Sequence, residues 1–195
     1  MESSAVKAAA APVTLSEKAE ARIEEIKKLY PDARSAIMPA LYIAQEELGH
    51  ISEEAIQWVA QKVDVAPVHV MEVATFYTMY YKKPVGKYHV QVCRTLSCAL
   101  CGSRALVEQL RKRFGTRSGE VTADGKWSYE EVECLGSCGS APMCEINDCY
   151  FENLTQDKLA SLLDRIEKEQ PDLRFSTVKD QLGEGLKGAP KSEVL

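Results

Sequence analysis

The chain has 195 residues, 45% of them hydrophobic and 27% charged, with seven cysteines and a formal net charge of −5 at pH 7. That length allows one domain or two small ones, and the acidic balance argues against a nucleic-acid partner, because phosphate binding needs a basic surface. No window approaches the roughly eighteen consecutive apolar residues of a membrane span.

Residues 1–14 contain an alanine run, Glu2 and no arginine. They lack the pattern of a signal or transit peptide and read as a disordered tail, so the expected location is cytoplasmic. In that reduced setting clustered cysteines suggest metal or redox chemistry before disulfides.

From residue 15 to 80 the period is helical. In TLSEKAEARIEEIKKLYP the residues Ala19, Ile23, Ile26 and Tyr30 share one face. Thr14 with Glu17 forms a capping-box signature, and Pro31 closes the helix. A second helix is expected over 33–48 with Gly49 as its stop. A third starts at Ser52 and carries Ile56, Val59, Ala60 and Val63 on one side. Pro67 suits the first turn of a fourth, PVHVMEVATFY. Short amphipathic helices with short connections predict a small bundle.

After YYKKPVG the period changes to two. KYHVQVC places Tyr88, Val90 and Val92 on one side and His89, Gln91 and Cys93 on the other, a strand pattern. SRALVEQLRKRFG is a helix, capped by Ser103 and ended at Gly115. Asp124-Gly125 marks a hairpin within EVTADGKWS. PMCEI and CYFEN are two strands joined at Asn147-Asp148, which sets Ile146 opposite Cys149 and Cys144 opposite Phe151. TQDKLASLLDRIEKE is a last helix that buries Leu159, Leu162, Leu163 and Ile166. The order describes an α+β fold: a helical bundle over 15–80, an α/β domain over 81–169 and an extended tail over 170–195.

The chemistry sits in CRTLSCALCG, residues 93–102, and CLGSC, residues 134–138. Both follow strands, where rigid elements can fix thiolates and backbone N–H groups can bond to sulfur. Gly102, Gly136 and Gly139 would let the backbone approach a bulky centre. Three ligand sets compete. Cys93, Cys98, Cys134 and Cys138 offer two thiolates per loop, which suits the two irons of a 2Fe–2S cluster. Cys93, Cys98 and Cys101 with distant Cys134 reproduce the plant-type run. Cys98, Cys101, Cys134 and Cys138 form tight pairs suited to zinc, and the protein would then be a zinc-stabilised interaction module. Spacing alone orders these first, third, second, by a narrow margin.

The words EVATFYTMY at 72–80, KYHVQVC at 87–93, EVECLGSCGSAPM at 131–143 and INDCYFENLT at 146–155 surround this spacing. Over residues 15–168 the chain resembles the thioredoxin-like 2Fe–2S ferredoxin family, in the form that serves as a small subunit of the NADH-oxidising module of respiratory complex I. The resemblance implies a thioredoxin-like domain and one 2Fe–2S cluster on Cys93, Cys98, Cys134 and Cys138. It implies an electron carrier that is a subunit of NADH:quinone oxidoreductase and has no NADH or flavin site of its own. The partners it implies are a flavoprotein subunit that oxidises NADH at FMN and further Fe–S subunits, on the inner face of a membrane. The cluster would lie beside the main electron path and store one electron. Related NAD-linked hydrogenases and formate dehydrogenases share the pattern.

Cys101, Cys144 and Cys149 have no ligand role in that family. Free cysteine is commonly a packing residue, and the hairpin register leaves Cys144 and Cys149 unpaired. His50, His69 and His89 lack the spacing of metal ligands and are expected to face solvent or cap helices. GEGLKG at 183–188 matches a dinucleotide fingerprint in letters only, since no strand precedes it. Glu131 and Glu133 are expected to share a solvated strand face.

Overall fold

The computed structural model describes residues 13–174. Of the expected tails over 1–14 and 170–195, residues 1–12 and 175–195, with the GEGLKG run, lie outside the described residues. Among the described residues no helix is long and apolar enough to cross a membrane. The chain divides between Pro84 and Val85 into two compact units.

The first unit holds α1 (Glu17–Lys27), α2 (Ile37–Leu48), α3 (Glu53–Val63) and α4 (Pro67–Phe76). The cap of α1 is Ser16 rather than Thr14: its hydroxyl accepts from the Ala19 N–H at 3.2 Å. Ser16 directly precedes the first helical residue, and Ala19 stands where a capping box needs Glu or Gln. Glu47 of α2 accepts the Ser16 backbone N–H at 2.9 Å and so fixes where α1 begins.

The expected helix over 33–48 is split. Ala33–Ala36 is a 3-10 turn, and the α-helix begins at Ile37. Pro39 has no N–H to give to Ser35, so an α-helix running through from residue 33 would lack that bond, whereas a proline in a first turn costs nothing. Gly49 ends α2 in the left-handed region at φ 76°, and Ser52 caps α3 through the Ala55 N–H. Leu41, Ile43, Val59 and Val63 fill the bundle core, each contributing about 1.5–3 kcal/mol of apolar burial. Tyr80 is wholly buried and donates its hydroxyl to the Met38 carbonyl at 3.0 Å.

The second unit is a four-stranded sheet in the order β2-β1-β3-β4, built from β1 (Tyr88–Cys93), β2 (Trp127–Val132), β3 (Cys144–Ile146) and β4 (Cys149–Phe151). β2 pairs parallel to β1, while β3 and β4 are antiparallel to their neighbours. The parallel pair requires a crossover, which α6 (Ser103–Phe114) supplies, and α7 (Gln156–Glu169) closes the fold. Val90, Val92, Tyr129 and Ile146 pack against Leu106 and Leu110 of α6 and Leu159 and Leu163 of α7. Phe114 stacks on Trp127 with ring centroids 5.1 Å apart. The Asn147-Asp148 turn gives the expected register, Ile146 opposite Cys149 and Cys144 opposite Phe151.

Three features differ from expectation. A five-residue helix, α5 (Leu96–Leu100), lies between Cys93 and Cys101. Ser103 does not cap α6; it is the first helical residue, and Gly102 at φ 99° turns the chain from α5 into α6. His89 does not face solvent. Both faces of β1 are buried, and His89 lies beside Ser128 at 2.7 Å and Glu130 at 3.1 Å, with Gln91 donating to Glu130 at 2.9 Å. Beyond α7, Tyr88 donates to the Pro171 carbonyl and Asp148 N–H to the Leu173 carbonyl, so residues 171–173 are packed on the domain.

Candidate metal centre

β1 ends at Cys93, and its parallel neighbour β2 ends at Val132, two residues before Cys134. Parallel pairing therefore delivers both cysteine loops to the same edge of the sheet. The Arg94 N–H donates to the Val132 carbonyl at 2.9 Å, and the Arg94 guanidinium pairs with Glu133, which knits the two loop starts together. On the other flank the Cys93 N–H donates to the Met143 carbonyl at 3.3 Å. Cys93, Cys98 and Met143 are buried together, with Leu135 and Ala141 of the second loop packed on them.

The thiols stand as two pairs. Cys93 at the end of β1 and Cys98 in α5 are each 2% exposed and packed together. Cys134 and Cys138 are exposed, with their sulfurs 3.5 Å apart. The pairs also face one another: the charges of Cys93 and Cys138 both reach Cys98.

Burial pushes the Cys93 thiol up, but N–H groups of Leu135 and Thr95, with the Cys98 thiol, outweigh it and bring Cys93 below the ordinary thiol value. Burial and the Cys93 partner push Cys98 up to about 11. Cys138 is raised by its hydrogen bond with Cys134 and by the Cys134 charge, with Ser97 opposing. The two thiols of the buried pair are thus pushed in opposite directions, and a bound cation would favour the thiolate form of both.

Backbone donors are already aimed at sulfur. The Gly136 N–H reaches Cys134 Sγ at 3.4 Å, and Met143 N–H serves Cys98. Gly136 takes φ 86°, a left-handed turn that a side chain would strain, and the space beside Gly136 and Gly139 is open. Gly102 serves the helix turn instead. Thr95 Oγ1 is buried without a hydrogen-bond partner of ordinary geometry, although it lies near enough to Cys93 to favour its thiolate. An orphaned hydroxyl costs about 1–3 kcal/mol, which an acceptor such as an inorganic sulfide beside Cys93 would relieve.

The remaining candidates go elsewhere. Cys101 is exposed at the C-terminal end of α5, so the tight pairs that would suit zinc are not the pairs the fold assembles. Cys144 is buried in the core opposite Phe151, where burial drives its thiol far above the usual value. Cys149 is half-buried beside the Leu173 carbonyl. His69 contacts Arg34 and Glu72 in the first unit. Glu131 and Glu133 are both exposed. Among the described residues no three His, Cys, Asp or Glu side chains converge as a site for one ion. Pairs of thiols match a two-iron centre, which takes two protein ligands at each iron.

Sequence reasoning missed the residues that hold the second loop. Tyr150 donates its hydroxyl to the Leu135 carbonyl at 3.0 Å, and Glu152 accepts from both Ser137 and Ser140. Ser137 and Ser140 bracket Cys138 in the sequence, which was the available signal; nothing local marks Glu152.

Residues 23–167 match the family described as thioredoxin-like 2Fe-2S ferredoxin. The chain is 47% identical over 142 residues to a subunit of the NADH-quinone oxidoreductase of Rhizobium meliloti, an alignment covering 73% of this chain and 84% of that one. It is 46% identical over 144 residues to NADH-quinone oxidoreductase subunit 2 of Thermus thermophilus, covering 72% and 80% respectively. Among solved structures it superposes on an NAD+-reducing NiFe hydrogenase in the air-oxidised state with a TM-score of 0.59 and 22% identity. That match covers 69% of this chain and 23% of the hydrogenase chain, and it carries the fold alone.

Proposed function

This chain belongs to the thioredoxin-like 2Fe–2S ferredoxin family, and from that premise we propose that Cys93, Cys98, Cys134 and Cys138 hold its 2Fe–2S cluster. The protein is an electron-transfer subunit of an NADH-quinone oxidoreductase, of the same kind as its Rhizobium and Thermus relatives. The observation that carries the ligand set is the pairing of the thiols loop by loop: Cys93 and Cys98 buried together against Met143, and Cys134 and Cys138 with sulfurs 3.5 Å apart.

When bound, the cluster supplies one-electron chemistry without making or breaking a substrate bond. The chain's own residues do the rest. Parallel β1 and β2 bring the loops to one sheet edge, and the N–H groups of Thr95, Leu135, Gly136 and Met143 stabilise thiolate charge. Buried Cys93 and Cys98 shield one side of the centre, while exposed Cys134 and Cys138 leave the other open to a partner. Electron exchange needs close approach, so the partner docks where Cys134 and Cys138 emerge.

That partner is the NADH- and FMN-binding flavoprotein subunit, with further Fe–S subunits beyond it in the same complex. The complex places this chain at the cytoplasmic face of a membrane. The similarity to NADH-quinone oxidoreductase subunits of Rhizobium and Rickettsia supports this finer assignment.

The test is the visible absorption and EPR spectra of the anaerobically purified chain before and after dithionite, with iron and labile sulfide measured. A red-brown protein with two irons and two sulfides, partly bleached on reduction, is the expected result. Serine at any of the four positions should abolish or rebuild that signal. A colourless protein holding one zinc would overturn the assignment.

A further inference from the structure

The turn that carries Cys138 is held by a carboxylate that no part of the proposed electron-transfer role has used. Ser137 precedes the 3-10 turn Cys138–Ser140 and Ser140 is its last residue, and their hydroxyl oxygens lie 2.9 Å apart. Both hydroxyls converge on one oxygen of Glu152. Ser140 Oγ is 2.8 Å from it, and Ser137 Oγ is in close contact. Ser140 Oγ also lies 3.2 Å from the Ser137 carbonyl, but Glu152 is the nearer acceptor for both hydroxyls.

The surrounding backbone repeats the arrangement. The Asn153 N–H donates to the Ser140 carbonyl at 2.7 Å, and the Leu154 N–H to the Pro142 carbonyl at 2.9 Å. Tyr150, two residues before Glu152, holds Leu135. The segment leaving β4 therefore grips the second cysteine loop on both sides of Cys138, and Glu152 is its one charged contact.

Glu152 is half-buried, and among the described residues no Lys or Arg forms an ion pair with it. Glu133 differs: it stands beside Cys134 but is exposed and paired with Arg94. The Glu133 charge is thus paired at the surface, whereas the Glu152 charge is half-buried and without an ion pair among the described residues.

We infer that Glu152 is a positioning residue for the cluster, fixing Cys138 through Ser137 and Ser140, and that its uncompensated charge holds the reduction potential down. The inference rests on Cys138 being a ligand. One-electron reduction adds one negative charge and breaks no bond. A fixed carboxylate close by opposes that added charge, more strongly in the half-buried setting than in water. A glutamine there can still accept from both serines through its amide oxygen while carrying no charge. An alanine releases both hydroxyls and the turn.

The experiment compares Glu152→Gln, Glu152→Ala, Glu133→Gln and Cys138→Ser in the full chain, anaerobically loaded with iron and sulfide. Each is read by EPR-monitored redox titration and by the rate of iron release to a chelator. E152Q should show a more positive midpoint with iron release close to wild type. E152A should release iron about tenfold faster, the low end for loss of an outer-sphere support. E133Q should move the midpoint less than E152Q, because Arg94 already compensates that charge.

An unchanged midpoint in E152Q, or an equal shift in E133Q, overturns the electrostatic role. Wild-type iron release in E152A overturns the positioning role. If E152A does not fold, a wild-type midpoint in E152Q still decides against the inference. The ligand assignment is judged separately. C138S with wild-type iron, sulfide and EPR spectrum would remove Cys138 from the ligand set, whatever the Glu152 variants do.

Discussion

Tyr150 on the edge strand donates its hydroxyl to the main-chain carbonyl of Leu135 at 3.0 Å, tying β4 to the loop that begins with Cys134. Tyr150→Phe keeps the ring and removes the donor. Tyr150 is exposed, so water can take over part of the bond, and the cost should fall near the low end of about 0.5–1.5 kcal/mol. Urea unfolding should show a lower midpoint with an unchanged m-value. A wild-type midpoint would mean that this strut adds nothing to stability.

Cys98 and Cys101 are three positions apart but face different surroundings, one buried against Cys93 and the other exposed. Cys101→Ser should keep full iron and sulfide and an unchanged EPR spectrum. Cys98→Ser should lose the cluster or return it with altered absorption, because an alkoxide is a harder ligand than a thiolate. Loss of the cluster in C101S would restore the tight-pair arrangement as the working ligand set.

Thr95 precedes α5, but its hydroxyl does not cap that helix and lies buried without an ordinary partner. Thr95→Val preserves the branched shape and removes the hydroxyl, donor and acceptor together. The metal-free protein should therefore be at least as stable as wild type. With the cluster bound, loss of an O–H donor toward sulfur should lower the midpoint. One hydrogen bond of about 1 kcal/mol corresponds to a few tens of millivolts for a one-electron couple. A redox titration that finds no shift would show that the hydroxyl does not bond to sulfur.

What could be read from the chain follows from how local each signal is. Asn147-Asp148 fixed the β3–β4 register because a two-residue turn leaves no freedom in pairing, and the structure has Cys144 opposite Phe151. Leu159, Leu162, Leu163 and Ile166 were legible as a buried stripe by their helical spacing. α5 was not, because five residues are too few to show a period. His89 lacks metal-ligand spacing and is expected from that to face solvent or cap a helix, yet β1 is central and buried on both faces. The two cysteine groups announced a metal centre, but Glu152 and Tyr150 reach it only through the β3–β4 pairing, and long-range pairing leaves no mark on a local window.

Glu145 on β3 is mostly buried, and desolvation, with the charge of Asp148 next, pushes its carboxyl up to about 7. Its strand neighbours Gln91 and Tyr150 bring no positive charge. The folded pKa lies above the unfolded value, so the folded state binds the proton more tightly. Stability from this group is fully present below about pH 4.5 and is lost as the pH rises through about 7. After discounting for solvent at a partly exposed site the effect is about 1 kcal/mol. Glu145→Gln should flatten that part of the stability profile and gain most near pH 8. Urea midpoints at about pH 5.5 and about pH 8 measure it, and an unchanged slope in the variant would sink the idea.

Gly86 lies just before β1 and needs its missing side chain for space rather than for backbone freedom. An added Cβ would sit 2.5 Å from the Trp127 carbonyl carbon and 2.8 Å from the Ser128 nitrogen, both main-chain atoms of β2. Neither can swing aside as a flexible side chain would, and the Gly86 N–H is also held at 2.8 Å by the Ser128 hydroxyl. Gly86→Ala must therefore push the chain away from β2 at the start of the parallel pair, near Tyr88 opposite Trp127. Overpacking of this kind costs about 1–3 kcal/mol. In a domain of this size that predicts a fall in Tm of several degrees. The gain from a less flexible unfolded chain, about 0.4–1 kcal/mol for a tolerated Gly→Ala change, is too small to offset it. Because β1 and β2 together carry Cys93 and Cys134 to one edge, the same displacement should speed iron release from the loaded protein. Calorimetry on the metal-free chain and chelator challenge on the loaded one measure the two effects, and a G86A protein as stable as wild type would show that β1 and β2 separate without cost.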